Sequence, residues 1–156
     1  MKPEKLEPSR PLQATKFLVD TNIFLEVELG QRKADVCERL LRKFQSGELE
    51  GVVVDFAVDT IVVVMENYGR EWDKIRTFLS SFLGYEGLRI YFSSLLDRIE
   101  ATKYAKNLDL DFDDALAFQA MKVNEITDII TYDRDFDEVP GIRRLLPEDL
   151  FQKLGS

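Results

Sequence analysis

The sequence predicts an α/β fold with a largely parallel central sheet covered by helices on both faces, and two observations carry that expectation. Short apolar runs alternate along the chain with helical stretches, which is how consecutive βα units read in sequence. Runs such as Phe17-Leu18-Val19 and Val52-Val53-Val54 are continuously apolar, as strands buried on both faces are. A length of 156 residues suits one domain at roughly 150 residues each, with enough chain to bury a sizeable core. No repeat, low-complexity tract or shift of composition marks a second domain. The expected organisation is a tail over residues 1–15, carrying Pro3, Pro8 and Pro11, and a single domain over residues 16–156.

The elements follow in order. Phe17 to Val19 is a buried strand ending in Asp20, and Ile23 to Leu29 a short helix entered through Thr21 and Asn22, both good cap residues. Gln31 to Ser46 is an amphipathic helix with Val36, Leu40, Leu41 and Phe44 on one face, and Gly47 stands where such a helix stops. Val52 to Val54 is a second strand closed by Asp55. Phe56 to Met65 is ambiguous: its β-branched residues suit a strand, while its length and the spacing of Val58, Ile61, Val62 and Met65 suit a buried helix. Helix is the expectation. Glu71 to Phe82 is a helix beyond Gly69, Arg89 to Phe92 a third strand, and Ser94 caps a helix reaching about Leu108. Phe112 to Val123 is a further helix, Asp128 to Thr131 a fourth strand, and Ile142 to Leu146 a fifth. Pro147 opens a last helical turn, Glu148 to Leu154.

Composition excludes several chemistries. There is no histidine and one cysteine, Cys37. Ser-His and Cys-His nucleophiles, His-ligated metals, internal disulfides and Cys-rich zinc sites are therefore absent. Cys37 sits among Val36, Leu40 and Leu41 as a small apolar residue on the inner face of its helix. Against 21 basic residues stand 29 acidic ones, a net charge of −8, which disfavours sequence-blind adhesion to nucleic acid or anionic membrane. The first residues hold no apolar segment of signal-peptide type, and the longest apolar runs, such as Ile61 to Met65, are far too short to span a bilayer. A cytoplasmic protein with no membrane association is the expectation. An acid-rich chain without histidine points to hard cations held by oxygen.

The acids fall at particular places. Asp20 and Asp55 end strands, and Asp59 lies one turn into the next helix. Asp113 and Asp114 open a helix, and Asp133 and Asp135 follow the fourth strand. Strand C-termini and the helix N-termini after them share one edge of an open α/β sheet, so carboxylates from separate segments would meet there. Like charges at close range raise one another's pKa unless a cation lies between them, which argues for one or two Mg2+ or Mn2+ ions. Single acids have plainer readings: Asp111 and Asp114 have capping-box spacing, and Asp133 and Asp135 suit a turn. Asp109 to Asp113 imitates the start of an EF-hand loop, but Asp114 stands where glycine is required and Ala120 where glutamate is. No Walker A or GxGxxG sequence supports a nucleotide cofactor.

Three segments resemble motifs of PIN-domain proteins: Phe17-Leu-Val-Asp-Thr-Asn-Ile-Phe24, Asp113-Asp114-Ala115-Leu116-Ala117, and Thr131-Tyr-Asp-Arg-Asp-Phe136, the last followed by Pro140-Gly141-Ile142. The likeness extends from about Lys16 to Leu150. It implies a three-layer, Rossmann-like α/β/α sandwich and a metal-dependent ribonuclease. Position by position, Asp20 matches the first acid, Asp114 the third and Asp133 the fourth; these three are the implied metal ligands. Asp135 and Asp113 lie beside them, and Asn22 and Thr131 match polar residues that hold the acids. The second acid, commonly glutamate, falls at Asp59, one methylene shorter, so the implied catalytic set is Asp20, Asp59, Asp114, Asp133 and Asp135, with Asn22, Thr131 and Asp113 in support.

Without histidine, the base must be an Asp or a metal-held hydroxide. Arg32, Lys33, Arg42, Lys43, Arg70, Lys74, Arg143 and Arg144 are the cations that would draw RNA to the site, though solvated helix faces also account for them. Within the family, a one-domain chain of this size looks most like the VapC-type toxin of a toxin–antitoxin pair, with RNA as substrate, a small antitoxin as partner and a homodimer as its assembly. Two other readings stand beside it. One is a catalytically weak PIN-like module that binds RNA or protein, favoured by the Asp at position 59. The other is a phosphotransfer domain, receiver-like or haloacid-dehalogenase-like, for which Asp20-Thr21-Asn22 supplies neither the acidic pair nor the Asp-x-Asp required.

Overall fold

The computed structural model describes residues 15–154; apart from Thr15, the expected tail lies outside the described residues. Five strands form one sheet: β1 (Lys16–Val19), β2 (Glu50–Val54), β3 (Leu88–Tyr91), β4 (Asp128–Ile130) and β5 (Arg143–Leu145). Their order is β3-β2-β1-β4-β5, and every neighbouring pair is parallel. β1 is central, with Phe17 opposite Gly51 on one side and Asp128 on the other. Gly51 is required there, since a Cβ at that position would lie 2.7 Å from the Phe17 carbonyl oxygen and 2.8 Å from the Phe44 ring.

Seven helices connect and cover the sheet: α1 (Thr21–Glu28), α2 (Ala34–Gln45), α3 (Asp55–Asn67), α4 (Trp72–Ser81), α5 (Leu95–Leu108), α6 (Phe112–Val123) and α7 (Pro147–Leu154). The period-2 alternation of the strands divides the core in two. Phe17, Val19, Val53 and Ile130 pack with α1 to α4 and α7. Leu18, Val52, Val54 and Ile129 pack with α5, α6 and Phe136 on the other face. This is the three-layer α/β/α sandwich with a central parallel sheet. No helix among the described residues is long and apolar enough to cross a membrane.

The starts of α1 and α3 differ from the expectation, while the stop at Gly47 and the cap at Ser94 match it. α1 begins at Thr21 and its cap is Asp20, whose carboxylate accepts from the Thr21 N–H at 2.8 Å. Strand end and helix cap are thus one residue, with no spare turn between them. Phe56 to Met65 is helical, within a longer α3 that begins at Asp55; burial of Val58, Ile61 and Met65 on one stripe decides it. Gly47 follows the last turn of α2 with φ +80°, a conformation that costs glycine little. Ser94 caps α5 through a capping box with Asp97. The equivalent box at α6 does not form: Asp111 occupies the cap, but its side chain makes no cap hydrogen bond.

Candidate active site

The C-terminal edge of the sheet is organised around Thr131, a fully buried residue immediately after β4. Its hydroxyl donates to Asp20 Oδ2 at 2.7 Å and accepts from Asn22 Nδ2 at 2.8 Å and from the Asp133 N–H at 3.0 Å. A hydroxyl has one donor and two acceptor positions, so Thr131 is fully used. Asn22, on the first turn of α1, also reaches Asp20 Oδ2 at 3.4 Å and accepts from the Tyr132 N–H at 3.2 Å through Oδ1. Asp133 in turn accepts from the Asp135 N–H at 2.9 Å, opening a 3-10 segment, Arg134–Glu138. Adjacent strands β1 and β4 therefore hand their terminal residues to one hydrogen-bonded unit.

α6 brings the remaining acids. Asp114 is buried on its first turn, with Asp113 exposed beside it. Ligand-capable oxygens of Asp111, Asp113 and Asp114 all lie within 4.8 Å of one another, and so do those of Asp114, Asp133 and Asp135. Asp114 belongs to both groups. Burial, followed by the charges of Asp113, Asp133, Asp20 and Asp135, pushes its carboxyl up to about 8. Burial also raises Asp20, against the hydrogen bonds from Thr131 and Thr21 that favour its charged form. Asp135 is exposed and raised chiefly by the charge of Asp133. The edge thus concentrates negative charge beyond what hydrogen bonding neutralises.

Of the residues singled out in the sequence, Asp20, Asp113, Asp114, Asp133 and Asp135 come together, with Asn22 and Thr131 beneath them. Asp59 does not join them. It is exposed and, like Asp20, outside the two close carboxylate groups among the described residues, but unlike Asp20 it makes no hydrogen bond to Thr131 or Asn22. α3 turns Phe56 and Ala57 towards the small cavity that Asp20 and Asp113 line, and at 3.6 residues per turn Asp59 points roughly 110° away from their midpoint. Asp55 forms an ion pair with Arg98 at 3.6 Å. Asp111 joins Asp113 and Asp114 in a close group, which its capping-box spacing to Asp114 does not reveal. Its signal was the crowding of three acids into four positions.

Most of the cations expected to attract RNA are already engaged. Arg143 holds Asp128 through two bonds at 3.0 and 2.8 Å, and Arg144 pairs with Asp137. Lys33 pairs with Glu148, Arg42 with Glu38 and Lys43 with Glu48, while Arg70 donates to the Glu28 carbonyl. Cys37 is fully buried beside the Tyr132 hydroxyl, and burial pushes its thiol up to about 11. That is an inert packing residue.

Comparison with known proteins follows the same lines. No curated protein matches the sequence significantly. Among solved structures, VapC20 of Mycobacterium tuberculosis, described as a sarcin–ricin-loop-cleaving toxin, superposes with a TM-score of 0.67 at 15% identity over 80% of this chain and 95% of its own. A toxin–antitoxin complex from Klebsiella pneumoniae gives 0.60 at 20% identity over 83% and 96%. VapBC2 of Rickettsia felis, bound to a DNA fragment from its promoter, gives 0.64 at 12% identity over 85% and 98%. Likeness at these identities concerns the fold. The family profile described as the PIN domain matches residues 17–142, spanning β1, all the acids gathered at the edge and the approach to β5. On that match the chain belongs to the PIN-domain family.

Proposed function

We propose that this PIN-domain protein is a divalent-metal-dependent endoribonuclease and the toxin component of a toxin–antitoxin pair. The observation that carries the reading is the meeting of Asp20, Asp114, Asp133 and Asp135 at one sheet edge with Asp114 raised to about 8. A buried carboxyl surrounded by four others is poorly arranged for the protein alone, and well arranged for a cation. The donor set fits one: it is all oxygen, with no sulfur or nitrogen ligand. Its 4.8 Å groupings suit oxygens placed about 2.0–2.6 Å from a shared Mg2+, Mn2+ or similar ion.

Asp20, Asp114 and Asp133 would hold the metal, with Asp113 and Asp135 beside them. When bound, a divalent ion supplies Lewis acidity towards a phosphoryl oxygen and lowers the pKa of water. The protein's own share is positioning. Thr131 and the Thr21 N–H fix both oxygens of Asp20, and Asn22 ties that carboxylate to the backbone after β4. Burial first, and then its acidic neighbours, favour the protonated form of Asp114, and a cation held there would favour the carboxylate. With no histidine in the chain, a carboxylate of this group is the side chain available to take a proton from water. The toxin assignment, a small antitoxin partner and a homodimer rest on the likeness to toxin and toxin–antitoxin structures.

The test is cleavage of a labelled structured RNA with and without Mn2+, comparing wild type with Asp20→Asn and Asp114→Asn. Metal-dependent cleavage lost in both variants is the expected result. Cleavage that survives both substitutions would overturn the site, and absence of cleavage and of metal binding under all conditions would favour a PIN-like binding module.

A further inference from the structure

Eleven large apolar residues among those described are substantially exposed, among them Tyr68 and Trp72 at the α3–α4 junction and Phe92, Leu95 and Leu96 just after β3. Phe112 is different. It is 41% exposed, it opens α6, and Asp111 and Asp113 flank it in the chain. It is the only one of the eleven within two residues of an acid of the cluster.

Its placement is fixed from behind. The Phe112 ring meets Phe56 nearly at right angles, interplanar 85° with centroids 5.8 Å apart. Phe56 itself lines the cavity shared by Asp20 and Asp113. An edge-to-face contact of this kind orients a ring without covering both of its faces. The contact with Phe56 covers only part of the Phe112 ring and leaves the rest in water between two carboxylates. A polyanion gains from such a ring if the polyanion carries aromatic bases.

We propose that Phe112, braced by Phe56, is a stacking platform for an unpaired base of the RNA strand whose phosphate lies at the acidic edge. The inference rests on the nuclease reading and deepens it by assigning Phe112 as the residue that engages an unpaired base. A base sits one sugar away from its own phosphate, so an aromatic ring one residue from the carboxylates is at the right remove. A base inside a duplex has both faces covered by its neighbours and cannot use the ring, whereas bases in loops and ends are read by aromatic stacking. Phe112 is then a specificity-determining residue that discriminates by strandedness. It takes no part in the chemistry.

The probe is a short single-stranded RNA carrying one 2-aminopurine, with a blunt duplex of the same sequence as control. Binding is measured in Ca2+ and cleavage in Mn2+, for wild type, Phe112→Leu, Phe112→Tyr and Phe112→Trp, with thermal melting as a check on folding. Wild type is expected to quench the 2-aminopurine and bind the single strand. Phe112→Leu should lose the quench and bind the single strand roughly ten-fold more weakly, with duplex binding unchanged and KM raised more than kcat is lowered. The Tyr and Trp variants should retain quench and affinity. Equal binding of the single strand by wild type and Phe112→Leu, or equal loss on single strand and duplex, would overturn the platform. If wild type cleaves RNA while that happens, the nuclease reading stands and only the platform falls. If no RNA is cleaved but the quench depends on Phe112, the platform stands on a binding module. If wild type binds no RNA, both fall.

Discussion

Asp114 carries the sharpest consequence at the scale of single residues. Its carboxyl is raised from an ordinary 3.8 to about 8, by burial first and then by its acidic neighbours. Between those two values the folded protein holds a proton that the unfolded chain has released. Stability of the metal-free protein is therefore highest at the acidic end of that window, and it declines as pH rises from about 4 towards 8. Asp20 and Asp135, also raised, push in the same direction. Asp114→Asn removes the charge while keeping shape and polarity. In the absence of divalent ions it should melt higher than wild type at pH 8, where even one pKa unit corresponds to about 1.4 kcal/mol and each kcal/mol to about 2–4 °C for a chain of this size. Its melting temperature should also vary less with pH. Thermal melts in chelator across pH 5 to 8 check this, and a wild-type protein that becomes more stable along that series would contradict the charge crowding.

Among the elements, α3 shows what the sequence could and could not reveal. Its strands and amphipathic partners were legible because burial leaves a period: Leu40, Leu41 and Phe44 mark α2, and Val52 to Val54 mark β2. α3 is rich in β-branched residues, so local propensity pointed both ways and tertiary burial of Val58, Ile61 and Met65 decided it. Helical phase is harder still to read. Placing Asp59 in a helix was enough to bring it near the edge, but a side chain reaches a site only from the correct face, and α3 presents Phe56 and Ala57 there. Asp20 and Asp133 were legible because a strand end has only one edge to point to. Asp111 was not, because capping and clustering predict the same spacing. From this, Asp59→Asn is expected to leave metal-dependent cleavage within about two-fold of wild type, since an exposed surface substitution of this kind changes little. Parallel rate measurements with Asp20→Asn supply the contrast, and a loss as deep as that of Asp20→Asn would bring Asp59 back into the site.

For the molecule as a whole, a net charge of −8 matters less than its distribution. Arg143, Arg144, Lys33, Arg42 and Lys43 each pair with an acid outside the cluster. Asp111, Asp113, Asp114, Asp133 and Asp135 have no such partner in the ion pairs of the described residues and stand grouped at one edge. A cation held across these segments favours the folded chain, because unfolding parts Asp114 from Asp133 and Asp135. Mass action then stabilises the fold by an amount set by ion concentration over Kd, about 2.7 kcal/mol at one hundred times Kd, or several degrees of melting temperature. The ion competes with the proton on Asp114, so the gain should be larger at pH 8 than at pH 6. Monovalent salt screens exposed charge generally and should give a smaller gain at equal ionic strength, with no steep pH dependence. Mn2+ titrations followed by thermal melting at the two pH values, with NaCl as control and Asp114→Asn alongside, separate these effects. A gain reproduced by NaCl would mean that the acidic edge is a screened surface, and one undiminished in Asp114→Asn would mean that Asp114 holds no ion.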